Sequence, residues 1–366
     1  MDMTTRVTQA VILVGGFGTR LLPLTKTRPK PAMPVLDKPF IMYLMESLVN
    51  AGVTDIILAC GYKSEMIAGC IAECGDIGAT IRYVDEDTPL GTAGAIKNVE
   101  DMLDEVFVSA NGDTLNFVDV SSQIRTHLEK GADVTLSLSP VDDPSSSGVA
   151  LMEDDGRITM FQEKPRKEEA VSNMVNTGLY VMNRSILEYV PEETFFDISK
   201  DLFPLLLKND AKVYGHNASG TWIDIGKPSD LIRMNRIMSN TVDRKDLQCG
   251  STIDCKIEGD FYIGKGSVME RCVSRDSIIS SSCVLESSEL ENSMVLKGCT
   301  VKGARIINSV IGEGCTVSEG VTVKDAVIGD GAKVDFDVYG ARRGSTISRY
   351  VFEFGDGIDR RRVFAF

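Results

Sequence analysis

From about residue 249 to about residue 338 the chain has no helical period, and aliphatic residues return six positions apart. The series are Ile257, Ile263, Met269; Ile278, Val284, Leu290, Leu296; Val295, Val301, Ile307; Ile311, Val317, Val323; and Ile328, Val334. Small residues fill the gaps, as in Ile311-Gly312-Glu313-Gly314-Cys315-Thr316. A hexapeptide repeat builds a parallel β-helix, in which each coil buries its apolar residues against the next. The register slips by a residue near Gln248–Lys256, Arg275 and Lys324, so imperfect coils are expected there. Cys272, Cys283, Cys299 and Cys315 fall in this stretch and read as small buried side chains.

Residues 9–240 alternate apolar runs with amphipathic stretches. Candidate strands are Ala10–Val14, Asp55–Ala59, Thr80–Val84, Val106–Ala110 and Val134–Leu138, then Val149–Met152, Thr159–Gln162 and Gly178–Val181. Phe40, Leu44 and Leu48 mark one helix, closed by Gly52, and Ile124 and Leu128 another. A helix is expected from Asp197, with Ile198, Leu202 and Leu205 inward, and one from Pro228, carrying Leu231 and Ile237. Strand–helix alternation implies an α/β domain with a mostly parallel sheet covered on both faces. The 366 residues thus divide into 1–240, 241–338 and a tail, 339–366, of undetermined role. The tail carries Arg342-Arg343, Arg360-Arg361-Arg362 and the apolar Phe352, Phe354, Phe364 and Phe366.

The first strand runs directly into glycines: Leu13-Val14-Gly15-Gly16-Phe17-Gly18-Thr19-Arg20, then Leu21-Leu22-Pro23-Leu24-Thr25 and Pro29-Lys30-Pro31-Ala32-Met33-Pro34-Val35. A glycine turn after a strand lets backbone N–H groups close on an anion, and the nearby cations Arg20 and Lys30 point to a polyphosphate. Neither the dinucleotide fingerprint nor the P-loop pattern is met. The stretch resembles the signature loop of the sugar-1-phosphate nucleotidyltransferases, G-G-x-G-T-R-L-x-P-L-T followed by P-K-P-x-x-P-V, nearly unbroken from Gly15 to Val35. The six-residue repeat likewise resembles the left-handed β-helix appended to several members of that family. The resemblance implies a Rossmann-like domain followed by such a β-helix.

Further segments follow in family order. Leu90-Gly91-Thr92-Ala93-Gly94 resembles the P-L-G-T-A-G nucleobase segment, and Asp85-Glu86-Asp87-Thr88-Pro89 before it resembles mannose-1-phosphate guanylyltransferases in composition. Asn111-Gly112-Asp113 ends a strand, where an acidic residue can hold a hard cation. Trp222-Ile223-Asp224-Ile225-Gly226 matches the family's second metal segment, so Asp113 and Asp224, 111 residues apart, are expected to converge. Phe161-Gln162-Glu163-Lys164-Pro165 matches the E-K-P segment, Asn176-Thr177-Gly178 the segment that closes over the sugar, and Gly148 the facing glycine. Phe196-Asp197-Ile198-Ser199-Lys200-Asp201-Leu202-Phe203-Pro204 resembles a structural segment of guanylyltransferase-like members. The resemblance implies nucleotide contacts at Leu13, Gly15, Gly16, Gly18, Thr19, Gly91, Thr92 and Asn111. It implies sugar-phosphate contacts at Gly148, Glu163, Lys164, Asn176 and Thr177, Mg2+ on Asp113 and Asp224, and catalytic roles for Arg20, Lys30 and Lys164.

The implied reaction joins a nucleoside triphosphate and a sugar 1-phosphate, foremost GTP and mannose 1-phosphate, and releases pyrophosphate. Glucose 1-phosphate with dTTP, UTP or ATP stays open, because base choice rests on a few contacts near Glu86–Thr92. A second activity of acyl transfer in the β-helix would want a histidine base, and none follows His216. A regulatory paralogue that binds without turnover would be expected to lose Arg20, Lys164 or an aspartate, and all are present. The net charge of −14 argues against nucleic acid or an anionic membrane as partner. The polar first residues lack a signal-peptide core, no stretch is apolar enough to span a bilayer, and nine scattered cysteines read as reduced thiols of a cytoplasmic protein. A solenoid must hide its terminal coil. A homo-oligomer formed through the β-helix or the tail is therefore expected, with the coils as an assembly module.

Overall fold

The computed structural model describes residues 6–16, 18–61, 64–116, 118–218, 222–343, 346–348, 350–352 and 364–365. Phe354, Phe366 and Arg360–Arg362 lie outside the described residues. The chain forms two compact units that do not follow chain order. Residues up to Gly16 and Phe40–Asp224 make the first; Phe17–Pro39 and Ile225 onward make the second. The segment after the first two glycines therefore groups with the coils, across the linear division at 240.

The strands of the N-terminal part are β1 (Gln9–Val14), β2 (Pro34–Val35), β3 (Lys38–Pro39), β4 (Asp55–Cys60), β5 (Thr80–Asp85), β6 (Val106–Asn111) and β7 (Thr114–Asn116). They continue with β8 (Val134–Pro140), β9 (Gly148–Met152), β10 (Ile158–Glu163), β11 (Met174–Asn183), β12 (Val213–Asn217) and β13 (Trp222–Asp224). The helices are α1 (Ile41–Asn50), α2 (Ser64–Glu73), α3 (Gly91–Lys97), α4 (Val120–Lys130), α5 (Phe203–Lys208) and α6 (Pro228–Ser239).

The first unit is built on a sheet ordered β10-β9-β11-β6-β1-β4-β5, with β8 pairing β11 and β12. β6, β1, β4 and β5 are parallel to one another, as is the β12–β8 pair. β11 runs antiparallel to β6, β8 and β9 and makes the sheet mixed. β1 explains its unbroken apolar run: Ala10, Ile12 and Val14 enter a core with α1 and α2, while Val11 and Leu13 enter a second core with α3 and Phe203. A strand buried on both faces needs apolar residues at every position. The helix expected from Asp197 begins with a π turn, Ile198–Leu202, before α5. The wider turn shifts the phase, so Leu206 is buried and Leu205 only half-buried. Ile237 in α6 is likewise half-buried, and Met234 and Met238 take the inward places.

In the second unit, short parallel strands stack coil upon coil. Val268 pairs with Val284, and Val284 with Thr300, so one coil takes sixteen residues. The inward residues Leu285, Leu290, Val295, Val301, Ile306, Ile311 and Val317 follow at steps of 5, 5 and 6, not at a constant six. Val284, placed inward by the six-residue scan, is 45% exposed, and Ile307 is half-buried. Each corner turns on a residue of positive φ: Ser287, Asn292 and Gly298, then Gly303, Asn308 and Gly314. Such corners favour Gly, Asn and Asp, and they set the 5-5-6 beat. Small residues line the corners as columns. The Ser293 and Ser309 N–H groups donate to the Ser277 and Ser293 hydroxyls one coil away, each at 3.1 Å. Cys283, Cys299 and Cys315 form another buried column, sixteen apart. Seventeen-residue steps at Ser251–Val268 and Arg305–Thr322 match the slips expected near Gln248–Lys256 and Lys324. Arg275 stands seventeen residues from Glu258 on one side and sixteen from Glu291 on the other, with a register shift between Glu258 and Phe261, so the slip expected there is present as well.

Candidate functional site

The parallel pairing of β1 and β6 brings Leu13 opposite Asn111. The chain then turns tightly back on β1: the Gly112 N–H donates to the Leu13 carbonyl at 2.9 Å, and a Cβ on Gly112 would lie 2.9 Å from both Ile12 and that carbonyl. Asp113 follows. β13 pairs antiparallel with β7, and Asp224 stands opposite Thr114, the residue after Asp113. The sheet thus brings the two aspartates together across 111 residues, and both are half-buried. The Trp222 indole N–H donates to the Thr177 carbonyl at 3.0 Å, which ties β13 to β11. The Asn111 Oδ1 is buried with no hydrogen-bond partner in the protein, beside Gly178, whose φ is 77°. A buried acceptor left unpaired costs free energy, which suits a position completed by a ligand. Among the described residues no group of three or more His, Cys, Asp or Glu side chains could hold a metal. Two carboxylates fit a hard divalent cation that finishes its shell with water and phosphate oxygens.

The β9–β10 hairpin sets Glu163 opposite Gly148. A Cβ on Gly148 would lie 2.5 Å from the Phe161 ring and 3.0 Å from a Glu163 carboxylate oxygen, so the glycine makes room for both side chains. Lys164 adopts φ 49° and its N–H donates to the Ser147 carbonyl at 3.1 Å. Its ammonium lies 3.3 Å from Glu163, and its side chain is 60% exposed. Asn176 closes a bulge in β11: its Nδ2 donates to the Tyr180 hydroxyl at 2.8 Å and its Oδ1 accepts the Gly178 N–H at 3.0 Å. Burial pushes the Tyr180 phenol well above its usual range, so it stays neutral and able to accept. Thr177 is buried, with its carbonyl given to Trp222.

The nucleobase segment begins α3. Gly91, at φ 73°, leaves no room for a Cβ, which would lie 2.7 Å from the Phe196 carbonyl. The Thr92 hydroxyl donates to Asp197 at 3.1 Å and accepts the Ile198 N–H at 2.7 Å. The segment resembling the family's F-D-x-S-K run is therefore what Gly91 and Thr92 lie against. The Glu86 carboxylate accepts the Leu90 N–H at 3.2 Å, and burial pushes its pKa up.

Gly15 and Gly16 end the first unit in open space, with nothing within 4 Å of where a Cβ would stand. In the second unit Gly18, at φ 57°, folds against Thr25 and Lys30, and the Thr25 hydroxyl donates to its carbonyl at 3.0 Å. Thr19 and Arg20 are exposed on the following turn, while Lys30 is buried. The Arg20 guanidinium lies over Gly226, 3.1 Å from where a Cβ would be.

Residues 9–241 match the protein family described as nucleotidyl transferase. The chain belongs to that family. Residues 286–342 match a second family, described as GlmU-like, C-terminal hexapeptide. Among curated proteins, a mannose-1-phosphate guanylyltransferase of Mycobacterium tuberculosis is 36% identical over 233 residues, 63% of this chain and 64% of that protein. A UTP–glucose-1-phosphate uridylyltransferase of Synechocystis is also 36% identical, over 61% of each chain. The matches thus span under two thirds of these relatives' length. Among solved structures, HddC from Yersinia pseudotuberculosis is 30% identical with a TM-score of 0.55 and covers 63% of this chain and 100% of its own; it was also solved complexed with GMP-PN. A putative glucose-1-phosphate thymidylyltransferase from Bacillus anthracis, 26% identical, has a TM-score of 0.57 and covers 64% of this chain and 96% of its own.

Sequence reasoning about this nucleotidyl transferase missed Gly226 as the floor under Arg20 and the Trp222–Thr177 bond. A glycine two residues after Asp224 was the available signal for the first.

Proposed function

We propose that the protein transfers a nucleotidyl group from GTP to mannose 1-phosphate, giving GDP-mannose and pyrophosphate. The meeting of Asp113 and Asp224 beside the unpaired Asn111 side-chain Oδ1 carries this reading. The similarity to mannose-1-phosphate guanylyltransferases supports the substrate pair. An oxygen of the sugar phosphate attacks the α-phosphorus in line. The bond from that phosphorus to the α,β-bridging oxygen breaks, and its electron pair leaves with pyrophosphate. No protein nucleophile is needed, so catalysis is positioning and charge stabilisation. A divalent cation, Mg2+ in this reading, held by Asp113 and Asp224 would supply charge neutralisation at the α-phosphate. Arg20 and Lys30 hold the β- and γ-phosphates, and Lys164 directs the sugar phosphate. Glu163, Asn176 and Thr177, with Gly148 giving room, form the sugar side. Leu13, Gly15, Gly16, Gly18, Thr19, Gly91, Thr92 and Asn111 form the nucleotide side.

Pyrophosphate release measured over four NTPs and the 1-phosphates of mannose, glucose and N-acetylglucosamine tests the proposal. GTP with mannose 1-phosphate should give the highest kcat/KM. A preference for UTP and glucose 1-phosphate would install the second reading, which the equal identity to the Synechocystis enzyme favours. No release from any pair would leave a nucleotide-binding protein without turnover.

We further propose a cytoplasmic homo-oligomer assembled through the coils or the tail. No helix among the described residues is long and apolar enough to cross a membrane. Val268 and Val284, 38% and 45% exposed and paired on adjacent coils, support association there. Light scattering after size exclusion tests it, and a monomer would overturn it.

A further inference from the structure

The segment between Gly18 and Pro39 carries the two cations of the glycine loop, and its anchors within the second unit lie in the coils and in α6. Arg28 stands between Thr25 and Lys30. Its guanidinium forks onto two carboxylates from adjacent coils: Nη1 to Glu313, and Nη2 to Asp330 at 2.7 Å. The Arg28 side chain is only 13% exposed. Asp330 is itself held, because its Oδ1 accepts the Glu313 N–H at 2.7 Å. Its Oδ2 accepts the Thr27 hydroxyl at 2.5 Å as well as Arg28. The Pro23 ring lies 3.3 Å from where a Cβ on Gly329 would stand, so the coil offers a flat floor to the loop. The far end of the segment is anchored too. The Tyr262 hydroxyl donates to Asp37 at 3.2 Å, and the buried Asn235 accepts the Leu36 N–H at 2.8 Å.

These anchors connect to the cations through a short path. Thr25, two residues before Thr27, holds the Gly18 carbonyl, and Gly18 is pressed against Thr25 and the stem of Lys30. Arg20 is two residues from Gly18. We propose that Glu313 and Asp330 are positioning residues for the nucleotide-phosphate loop, acting through Arg28 to fix Lys30 and Arg20. This rests on the proposed function for the roles of Arg20 and Lys30. It gives the coils a part in turnover beyond assembly. Charge-assisted bonds in a shielded place are among the strong ones, and a forked guanidinium fixes direction as well as distance. By contrast the Arg305–Glu289 pair elsewhere on the coils is about 60% exposed on each side and touches no part of the loop.

The test uses the full chain with Glu313→Gln and Asp330→Asn together, Arg28→Lys as a milder second variant, and Glu289→Gln as a control. Hydrogen exchange of the amides of residues 18–33 is read by mass spectrometry beside NTP kinetics. The double variant should lose about tenfold or more of the loop's protection, because a charge-assisted bond network is removed. Its kcat/KM for the NTP should fall about 10- to 100-fold, the scale of a misplaced catalytic group, with the KM for sugar 1-phosphate within about twofold of wild type. Arg28→Lys keeps the charge but loses the fork, and should fall between wild type and the double variant. Glu289→Gln should change neither. Unchanged loop exchange in the double variant and in Arg28→Lys would overturn the proposal, as would a kinetic loss falling equally on both substrates. If the wild-type chain releases no pyrophosphate from any NTP, the functional reading fails and the exchange data alone decide the positioning.

Discussion

Asp113 and Asp224 stand where backbone ladders hold them, one just past the end of β6, the other in β13 paired to the residue beside it. Lys164 stands on a turn of positive φ with most of its side chain in solvent. Arg20 is also exposed, on a single helical turn over Gly226. The acids are therefore placed by backbone ladders, while Lys164 and Arg20 extend exposed side chains from single turns. Under the proposed function, two half-buried carboxylates brought side by side suit a hard divalent cation.

The contrast predicts steep effects for the acids and graded effects for the cations. Asp113→Asn should lower kcat by about a thousandfold or more with the thermal melt unchanged, because an amide keeps the shape but binds the metal weakly. Asp224→Asn should match it, and with the proposed shared metal the double variant should be little worse than either. Additive losses would break the idea of a shared metal. Lys164→Met should cost about 100-fold in kcat/KM for the sugar phosphate and little for the NTP, and Arg20→Met should mainly lower kcat. Equal damage to both substrates in both variants would remove the division of roles.

Two smaller changes test whether the ladders hold the acids. Gly178→Ala places a methyl 2.5 Å from the Asn111 amide nitrogen, at φ 77°, and should destabilise by about 1–3 kcal/mol while weakening nucleotide binding. Trp222→Phe removes the bond to the Thr177 carbonyl and should cost about 1 kcal/mol in a denaturant melt, with a modest rise in metal requirement. A normal metal titration in Trp222→Phe would show that the β13–β7 ladder alone suffices.

The strands were legible because β1, β4 and β6 are buried on both faces and so read as apolar runs. The aspartates were legible as motif members, and the antiparallel β13–β7 register explains why their distance in sequence did not matter. The coils were legible in kind but not in beat. Serine and cysteine share the burial with the aliphatic residues, so a scan of aliphatic residues alone admits outward ones such as Val284. The positive-φ corners at Asn292, Gly298, Gly303 and Asn308 carry the true spacing. A break near residue 240 was legible, but the grouping of residues 17–39 with the coils was not. Among the contacts that tie residues 18–39 into the second unit is an ion pair between positions 28 and 313, and nothing local to Arg28 announces a partner 285 residues on.

Glu313 and Asp330 are seventeen residues apart in the chain yet neighbours in the stack, where the Gly331 N–H reaches the Glu313 carbonyl at 2.7 Å. The coil array is thereby a ruler as well as a scaffold. Adding or deleting a whole coil on the N-terminal side of Glu313 keeps every inward column in step, so stability alone would tolerate changes of sixteen residues. The same edit moves the two-carboxylate mark by one graduation along the stack, away from a loop whose length is set near the other end of the gene. The number of coils between Tyr262, which holds Asp37, and Glu313, which holds Arg28, is thus under a constraint that no single position reveals.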